Sequence, residues 1–172
     1  MLITVQDLEK YSGVRGDALA SNYVTSAIEI VRNYLGYNPE QTEYDELYDG
    51  TGMDVVFLDC PHITELLEVE IGGESVPVDN FYVKENALYY KGGTFPLQMQ
   101  YVRVHYVGGW PEEAMPESIK GTALQIASLR QVESGQNIGV SSKSFGNEGT
   151  RVFLSTRKYN DLLFNISAYK LI

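Results

Sequence analysis

The sequence predicts an α+β fold: a small helical core of about four helices, with a β-rich antiparallel insertion between helix 2 and helix 3. Three observations carry this reading. Apolar residues recur at spacings of three and four before residue 38 and again after residue 111, the period of a helix with one buried face. Between them, from Thr42 to Val107, short β-branched and aromatic runs alternate with turn residues. The amphipathic segments on either side need one another to cover their apolar faces. The expected organisation is one domain over residues 1–172, with residues 1–38 and 111–172 as helical core and residues 42–108 as insertion.

The elements follow in order. Thr4-Val-Gln-Asp7 reads as a capping box, with Thr4 as N-cap and Asp7 reaching back to it. A short helix continues through Leu8 and Tyr11 and stops at Gly13. Asp17 is expected to start a longer helix. Its apolar residues form two adjacent stripes, Ala20, Tyr23, Ala27, Ile30, Tyr34 and Val24, Ile28, Val31, Leu35, and Gly36 followed by Pro39 ends it. Asn22, Thr25, Glu29 and Arg32 fall on the opposite side.

Strand signals then take over. Asp54-Val-Val-Phe-Leu58 is a β-rich run following the turn Asp49-Gly-Thr-Gly52. Residues 63–71 partly alternate and end in Gly72-Gly73, a hairpin signal. Residues 81–83 and 87–90 flank a turn at Lys84-Glu-Asn86, and Leu97 to Val107 reads as one alternating strand. A small antiparallel sheet or barrel would satisfy this spacing of turns. Gly108-Gly-Trp-Pro111 breaks the sheet, and Pro116 is placed as the first residue of a third helix running to about Glu133, with Ile119, Ala123, Ile126 and Ala127 on one face. Gly135 to Thr150 reads as an exposed, mobile loop and Val152-Phe-Leu154 as a short strand. Tyr159, Leu162, Leu163, Ile166 and Tyr169 then repeat at helical spacing.

Composition bounds the function. The chain has 172 residues, of which 44% are hydrophobic and 21% charged, enough to bury a core without staples. The formal net charge is −10. It is concentrated: residues 38–85 hold 13 acidic side chains against Lys84 alone, whereas residues 86–172 hold 9 basic and 6 acidic ones. That sign opposes binding to nucleic-acid phosphates or to an anionic membrane. A single cysteine, Cys60, rules out an internal disulfide and suits a reducing cytoplasm. The first residues carry no basic and apolar leader pattern, and no apolar run is long enough to span a bilayer. The 13 tyrosines, against 6 phenylalanines and 1 tryptophan, suit half-exposed sheets and subunit contacts.

Chemical motifs are weak throughout. Cys60, His62 and His105 are the soft metal ligands, but Cys60-Pro-His62 is too tightly spaced for zinc and four ligands are wanted. Asp49-Gly-Thr-Gly-Met-Asp54 lacks the alternating acids and final glutamate of a calcium loop. No nucleophile elbow, Walker A loop or dinucleotide fingerprint is present. No catalytic, cofactor-binding or metal-binding residue is assigned, and no cofactor is expected.

Taken together, several segments resemble the phage head–tail connector family, also called adaptor or head-completion proteins. They are residues 1–8, the helix end Ile30-Val-Arg-Asn-Tyr-Leu-Gly36, Tyr48-Asp-Gly-Thr-Gly52 leading to Val56-Phe-Leu58, Pro61-His-Ile-Thr64, Val102 to Pro111, and Met115-Pro-Glu-Ser-Ile-Lys120. The resemblance covers nearly the whole chain. It implies a structural, non-enzymatic virion protein at the head–tail interface, assembled in the bacterial cytoplasm. Such subunits form rings of about a dozen copies, dock on the portal, present a surface to the next connector or tail protein, and extend a channel through which DNA passes without specific binding. A long segment at 135–150 departs from the family's pattern.

Within that resemblance, Glu40, Glu43, Asp45, Glu46, Asp49, Asp54 and Asp59 are candidates to face the channel and repel DNA. Phe145, Arg151, Arg157, Lys158, Phe164, Tyr169, Lys170, Leu171 and Ile172 are candidates for portal or ring contacts. Two alternatives stay open: another virion or interaction module of tail-terminator type, and a small acidic hydrolase, which would show a deep pocket with convergent polar groups.

Overall fold

The computed structural model describes residues 1–134, 142–144, 150–152 and 157–171, and its fold is α+β. The chain divides into two compact units: Met1–Gly36 with Pro116–Lys170, and Tyr37–Met115 with Leu171.

The first unit is helical. Helix α1 spans Val5–Ser12, α2 Ala20–Leu35, α3 Glu117–Ser134 and α4 Arg157–Phe164. α1 begins at the expected capping box: the Asp7 amide donates to Thr4 Oγ1 at 3.1 Å, and the Thr4 amide donates to Asp7 Oδ2 at 2.9 Å. Both α1 and α2 end on a left-handed glycine, Gly13 and Gly36, a conformation that side chains with a Cβ rarely adopt. α2 starts later than its sequence suggests. Asp17 lies in the turn before it, accepting the Leu19 amide at 2.9 Å and the Gln131 side-chain amide at 2.9 Å, so this acid ties the turn to α3. α3 packs against α1, α2 and α4. The core holds Leu8, Tyr23, Val24, Ala27, Ile28, Val31 and Leu35 with Ile119, Ala123, Ile126, Ala127, Leu163 and Ile166, all buried. Tyr159 of α4 donates to Glu133 at 2.6 Å, and the Arg130 guanidinium lies 5.8 Å above its ring. Within the stretch read as loop, strand β8 (Ser142–Ser144) pairs antiparallel with β9 (Thr150–Val152). The remainder of residues 135–149, and Phe153 and Leu154 of the expected strand, lie outside the described residues.

The second unit is β-rich but holds two sheets rather than one sheet or barrel. Strands β1 (Thr42–Tyr48), β7 (Val102–Gly108), β3 (Ile63–Ile71) and β4 (Glu74–Val76) form a four-stranded sheet in that order; β2 (Val55–Phe57), β6 (Ala87–Tyr90) and β5 (Phe81–Lys84) form a three-stranded one. All pairings are antiparallel. The β3–β4 hairpin turns on Gly72 and Gly73, at φ 64° and 83°, the two positive angles that a tight two-residue hairpin requires. The expected strand from Leu97 begins only at Val102. Residues 95–101 instead lie along residues 48–53, joined by backbone hydrogen bonds, and Gln100 at φ 48° breaks the extended run before Val102.

Candidate interaction surface

The four-stranded sheet sorts its side chains by the two-residue period of a strand. On β7, Val102, Val104 and Tyr106 are buried while Arg103, His105 and Val107 face the other way. β1 adds Tyr44, Glu46 and Tyr48 to the inner face and Glu43, Asp45 and Leu47 to the outer face, through the pairs Tyr44↔Tyr106 and Asp45↔His105. β3 carries a bulge between Leu66 and Glu68. The extra residue, Leu67, resets the phase, so Glu65, Glu68 and Glu70 all face outward opposite Val107, His105 and Arg103.

The outer face is therefore an acidic field around a central basic strand. Arg103 donates to Asp45 through Nε at 2.7 Å and Nη2 at 2.6 Å, and to Glu70 through Nη1 at 3.1 Å. These hydrogen bonds hold the Asp45 carboxyl below the usual carboxylate range. His105 Nε2 lies 3.5 Å from Glu43. Five carboxylates stand on this face against one guanidinium and one imidazole.

Beneath it lies a tyrosine layer. The rings of Tyr44 and Tyr106 stack at 5.0 Å with 7° between their planes. Tyr48 donates to Glu46 at 2.5 Å, and its oxygen is 3.2 Å from that of Tyr106. Burial, before any other cause, pushes all three phenols well above the ordinary tyrosine range. They are hydrogen-bonding groups here, not acids.

The seven candidate acids do not share a face. Glu43 and Asp45 lie on the outer sheet face. Glu46 points to the inner side and is held by Tyr48. Glu40 forms a bridge beside Trp110, Asp49 accepts the Gln100 amide at 2.7 Å, and Asp54 and Asp59 are exposed on either side of β2. Glu65, Glu68 and Glu70, absent from the sequence-derived set, complete the outer field. Their uneven spacing in Glu65-Leu-Leu-Glu-Val-Glu70 was the available signal of the bulge.

Of the candidate contact residues, Phe164 on α4 is 72% exposed, and Lys170 holds its ammonium 5.5 Å above the Tyr34 ring. Tyr169 ends a 3-10 turn, and Leu171 is half-buried. Arg151 lies in β9, and Arg157 and Lys158 open α4. Phe145 and Ile172 lie outside the described residues.

The soft ligands are kept apart. Cys60 is buried and donates to the His62 carbonyl at 3.8 Å, which occupies its thiol, and burial raises the thiol's pKa. The His62 ring stacks flat on Trp110 at 3.8 Å, and burial lowers its pKa, favouring the neutral imidazole. His105 projects from the opposite sheet face. Among the described residues no group of three or more His, Cys, Asp or Glu is placed to hold a metal ion, and no helix is long and apolar enough to cross a membrane.

A family model described as head completion protein matches residues 1–155. The chain belongs to the head completion protein family. Head completion proteins are structural proteins of the virion's head–tail region, and this chain is one of them. No curated protein matches it in sequence. Three similar solved structures share the fold. One, from the neck of an empty gene transfer agent particle computed with C6 symmetry, has a TM-score of 0.62 at 13% identity and covers 99% of this chain and 90% of that one. A second, from the neck of the native particle computed with C12 symmetry, has 0.63 at 12%, covering 98% and 88%. A third, from the virion of the native particle, has 0.59 at 13%, covering 99% and 90%.

Proposed function

We propose that this head completion protein is a non-enzymatic subunit of a ring between portal and tail, extending the channel through which DNA passes. The family match over residues 1–155 carries the reading, and the fold shared with chains of particle necks computed with C6 and C12 symmetry supports a ring. In this reading the portal lies on one side, the next connector or tail protein on the other, and copies of the chain flank each subunit. Assembly takes place in the host cytoplasm. Residues 42–108 act as an insertion in one connector domain whose helical core is residues 1–38 and 111–172. The contacts with portal or neighbouring copies involve Phe145, Arg151, Arg157, Lys158, Phe164, Tyr169, Lys170, Leu171 and Ile172.

The acidic residues have a role in the same reading. A channel wall must not bind phosphate, and carboxylates that Arg103 does not neutralise repel it. Around the Arg103–Asp45 pair, Glu43, Glu65, Glu68 and Glu70 form one such field, with Glu40, Asp49, Asp54 and Asp59 adding to the charge of the same unit.

The test is to add purified protein to DNA-filled heads of the cognate phage made without it. Restored tail attachment, with the chain bound in fixed stoichiometry at the portal vertex, is the expected result. Heads that neither bind the chain nor accept tails in its presence would refute the reading. Replacing the five outer carboxylates by amides should slow DNA passage, and unchanged ejection would remove the channel-wall role.

A further inference from the structure

The four-stranded sheet leaves one long side of its backbone open. β1 is an edge strand of seven residues, paired with β7 along its whole length. Which of its groups face that pairing follows from β7. Just past the end of β7 the Trp110 amide donates to the Pro39 carbonyl at 2.8 Å, and the Gln41 amide donates to the Trp110 carbonyl at 3.1 Å. On the other side the Gly109 amide donates to the His62 carbonyl at 2.8 Å, the Thr64 hydroxyl to the Val107 carbonyl at 3.2 Å and the Gly72 amide to the Tyr101 carbonyl at 2.8 Å. Even-numbered residues of β7 therefore turn their amides and carbonyls toward β1, and odd-numbered ones toward β3. The register sets even residues opposite even ones, so Thr42, Tyr44, Glu46 and Tyr48 bond inward. The amides and carbonyls of Glu43, Asp45 and Leu47 point away from the sheet, and among the described residues nothing hydrogen-bonds to them. All three residues are exposed.

Such an edge is a template for another strand. The other edges are shorter or interrupted. β4 and β2 have three residues each and β5 has four. The part of β3 that β4 leaves uncovered carries both register shifts of that strand, irregularities that bend an edge away from further pairing. β1 has no register shift and contains neither glycine nor proline. Its protection is charge: Thr42-Glu-Tyr-Asp-Glu-Leu-Tyr48 holds three acids and no base. Glu43 is 71% exposed, and no lysine or arginine occurs between residues 38 and 83. A second β1 set against this edge would bring acid to acid, so self-pairing is disfavoured. The complementary strand carries lysine or arginine at alternate positions, on the face shared with Glu43 and Asp45.

We infer that the open side of β1 receives an extended, basic segment of a different protein, which joins the four-stranded sheet as a further strand. The inference rests on the proposed place between portal and tail, and it states the chemistry of one neighbour there. The added strand lies beside β1, so Glu65, Glu68 and Glu70 on the outer face stay uncovered.

The experiment follows amide hydrogen exchange by NMR. The probe is a seven-residue peptide alternating lysine and valine, acetylated and amidated. It is compared with a peptide alternating glutamate and valine, and with two N-methylated forms of the lysine peptide, one blocked at the lysine amides and one at the valine amides. The lysine peptide is expected to bind and to slow exchange at Glu43, Asp45 and Leu47, which exchange fast in the free chain; the glutamate peptide should change nothing. Only one set of peptide amides can face β1, so one methylated form should bind about tenfold more weakly than the other. Glu43→Lys should weaken the lysine peptide, more at low salt than at high. Equal binding of the two methylated forms would mean attraction by charge alone and would overturn the inference. So would absence of binding, or slow exchange at Glu43, Asp45 and Leu47 in the free chain, which would mean an edge already covered by this chain or a second copy. In cognate particles, deuterium uptake across residues 42–48 should fall below that of the free chain once tails are attached, and equal uptake would remove the partner. If wild type restores tail attachment while these amides stay open, only the inference is lost; if it binds no heads, the proposed function falls, whatever the peptides show.

Discussion

Arg103 grips Asp45 across the β1–β7 pair with two nitrogens, Nε at 2.7 Å and Nη2 at 2.6 Å, a fork within a field that is otherwise acidic. Both side chains are partly open to water, so the pair contributes little through simple attraction. Its larger effect is to neutralise one carboxylate where Glu70 is also within reach at 3.1 Å. Arg103→Met should lower the melting temperature slightly at low salt, and added salt should erase most of the difference by screening the freed acids. A melting series in sodium chloride checks this; a loss independent of salt would contradict it.

The same pair gives a pH dependence. The Asp45 pKa is depressed in the folded protein below its ordinary value of 3.8. A depressed carboxylate contributes stability that is present above the unfolded pKa and is lost as pH falls through the folded one. Asp45→Asn should therefore be less stable than wild type near neutrality, and the two should converge below pH 3.8. Urea unfolding at several pH values measures the difference.

Gly108 is packed for want of a side chain. A Cβ there would lie 2.7 Å from Cys60 Sγ and 2.9 Å from Cys60 Cβ. Gly108→Ala should cost about 1–3 kcal/mol by overpacking. In a Cys60→Ala background part of that cost should return, because the nearer clash is with the sulfur. A double-mutant cycle in urea reads the coupling.

Cys60 is buried, and that burial raises its thiol pKa. The native thiol should resist a disulfide reagent near neutral pH and react only as the chain opens. Labelling that is fast in native buffer, and unchanged by denaturant, would disprove this.

Thr4 satisfies a helix N-terminal amide and is itself tied to Asp7. Thr4→Ala should cost about 1 kcal/mol, the usual loss for an N-cap. Thr4→Ser should retain most of it. Thermal melts of the two variants separate a capping role from a packing one.

What the sequence revealed was local. The Thr4–Asp7 box, the stops at Gly13 and Gly36 and the Gly72-Gly73 turn each depend on residues a few positions apart, and each formed as read. What it concealed was register. The inner and outer faces of β3 follow from its pairing with β7, across two register shifts, at Ile63/Glu65 and Leu66/Glu68, of which the sequence signals the second through the uneven spacing of its glutamates. Arg103 meets Asp45 58 residues away and Glu70 33 residues away, separations that no local pattern encodes. The run from Leu97 alternates as a strand does, but alternation cannot tell a paired strand from a loop pinned by its neighbours. Proximity in sequence groups Glu46 with Glu43 and Asp45, whereas strand pairing turns Glu46 inward and brings Glu68 and Glu70 to the face of Glu43 and Asp45.

The lacing of residues 95–101 to residues 48–53 also bears on cleavage. A protease must draw several residues into an extended form free of other hydrogen bonds, and bulky apolar side chains such as Leu97 and Met99 are attractive sites for many of them. Here the amides of Gly50, Gly52, Phe95, Gln100 and Tyr101 are all engaged. Release would require peeling Phe95 out of its aromatic neighbours. The most conspicuous apolar side chains of the unit should thus be poor substrates, and a chain nicked there should keep both ends in place.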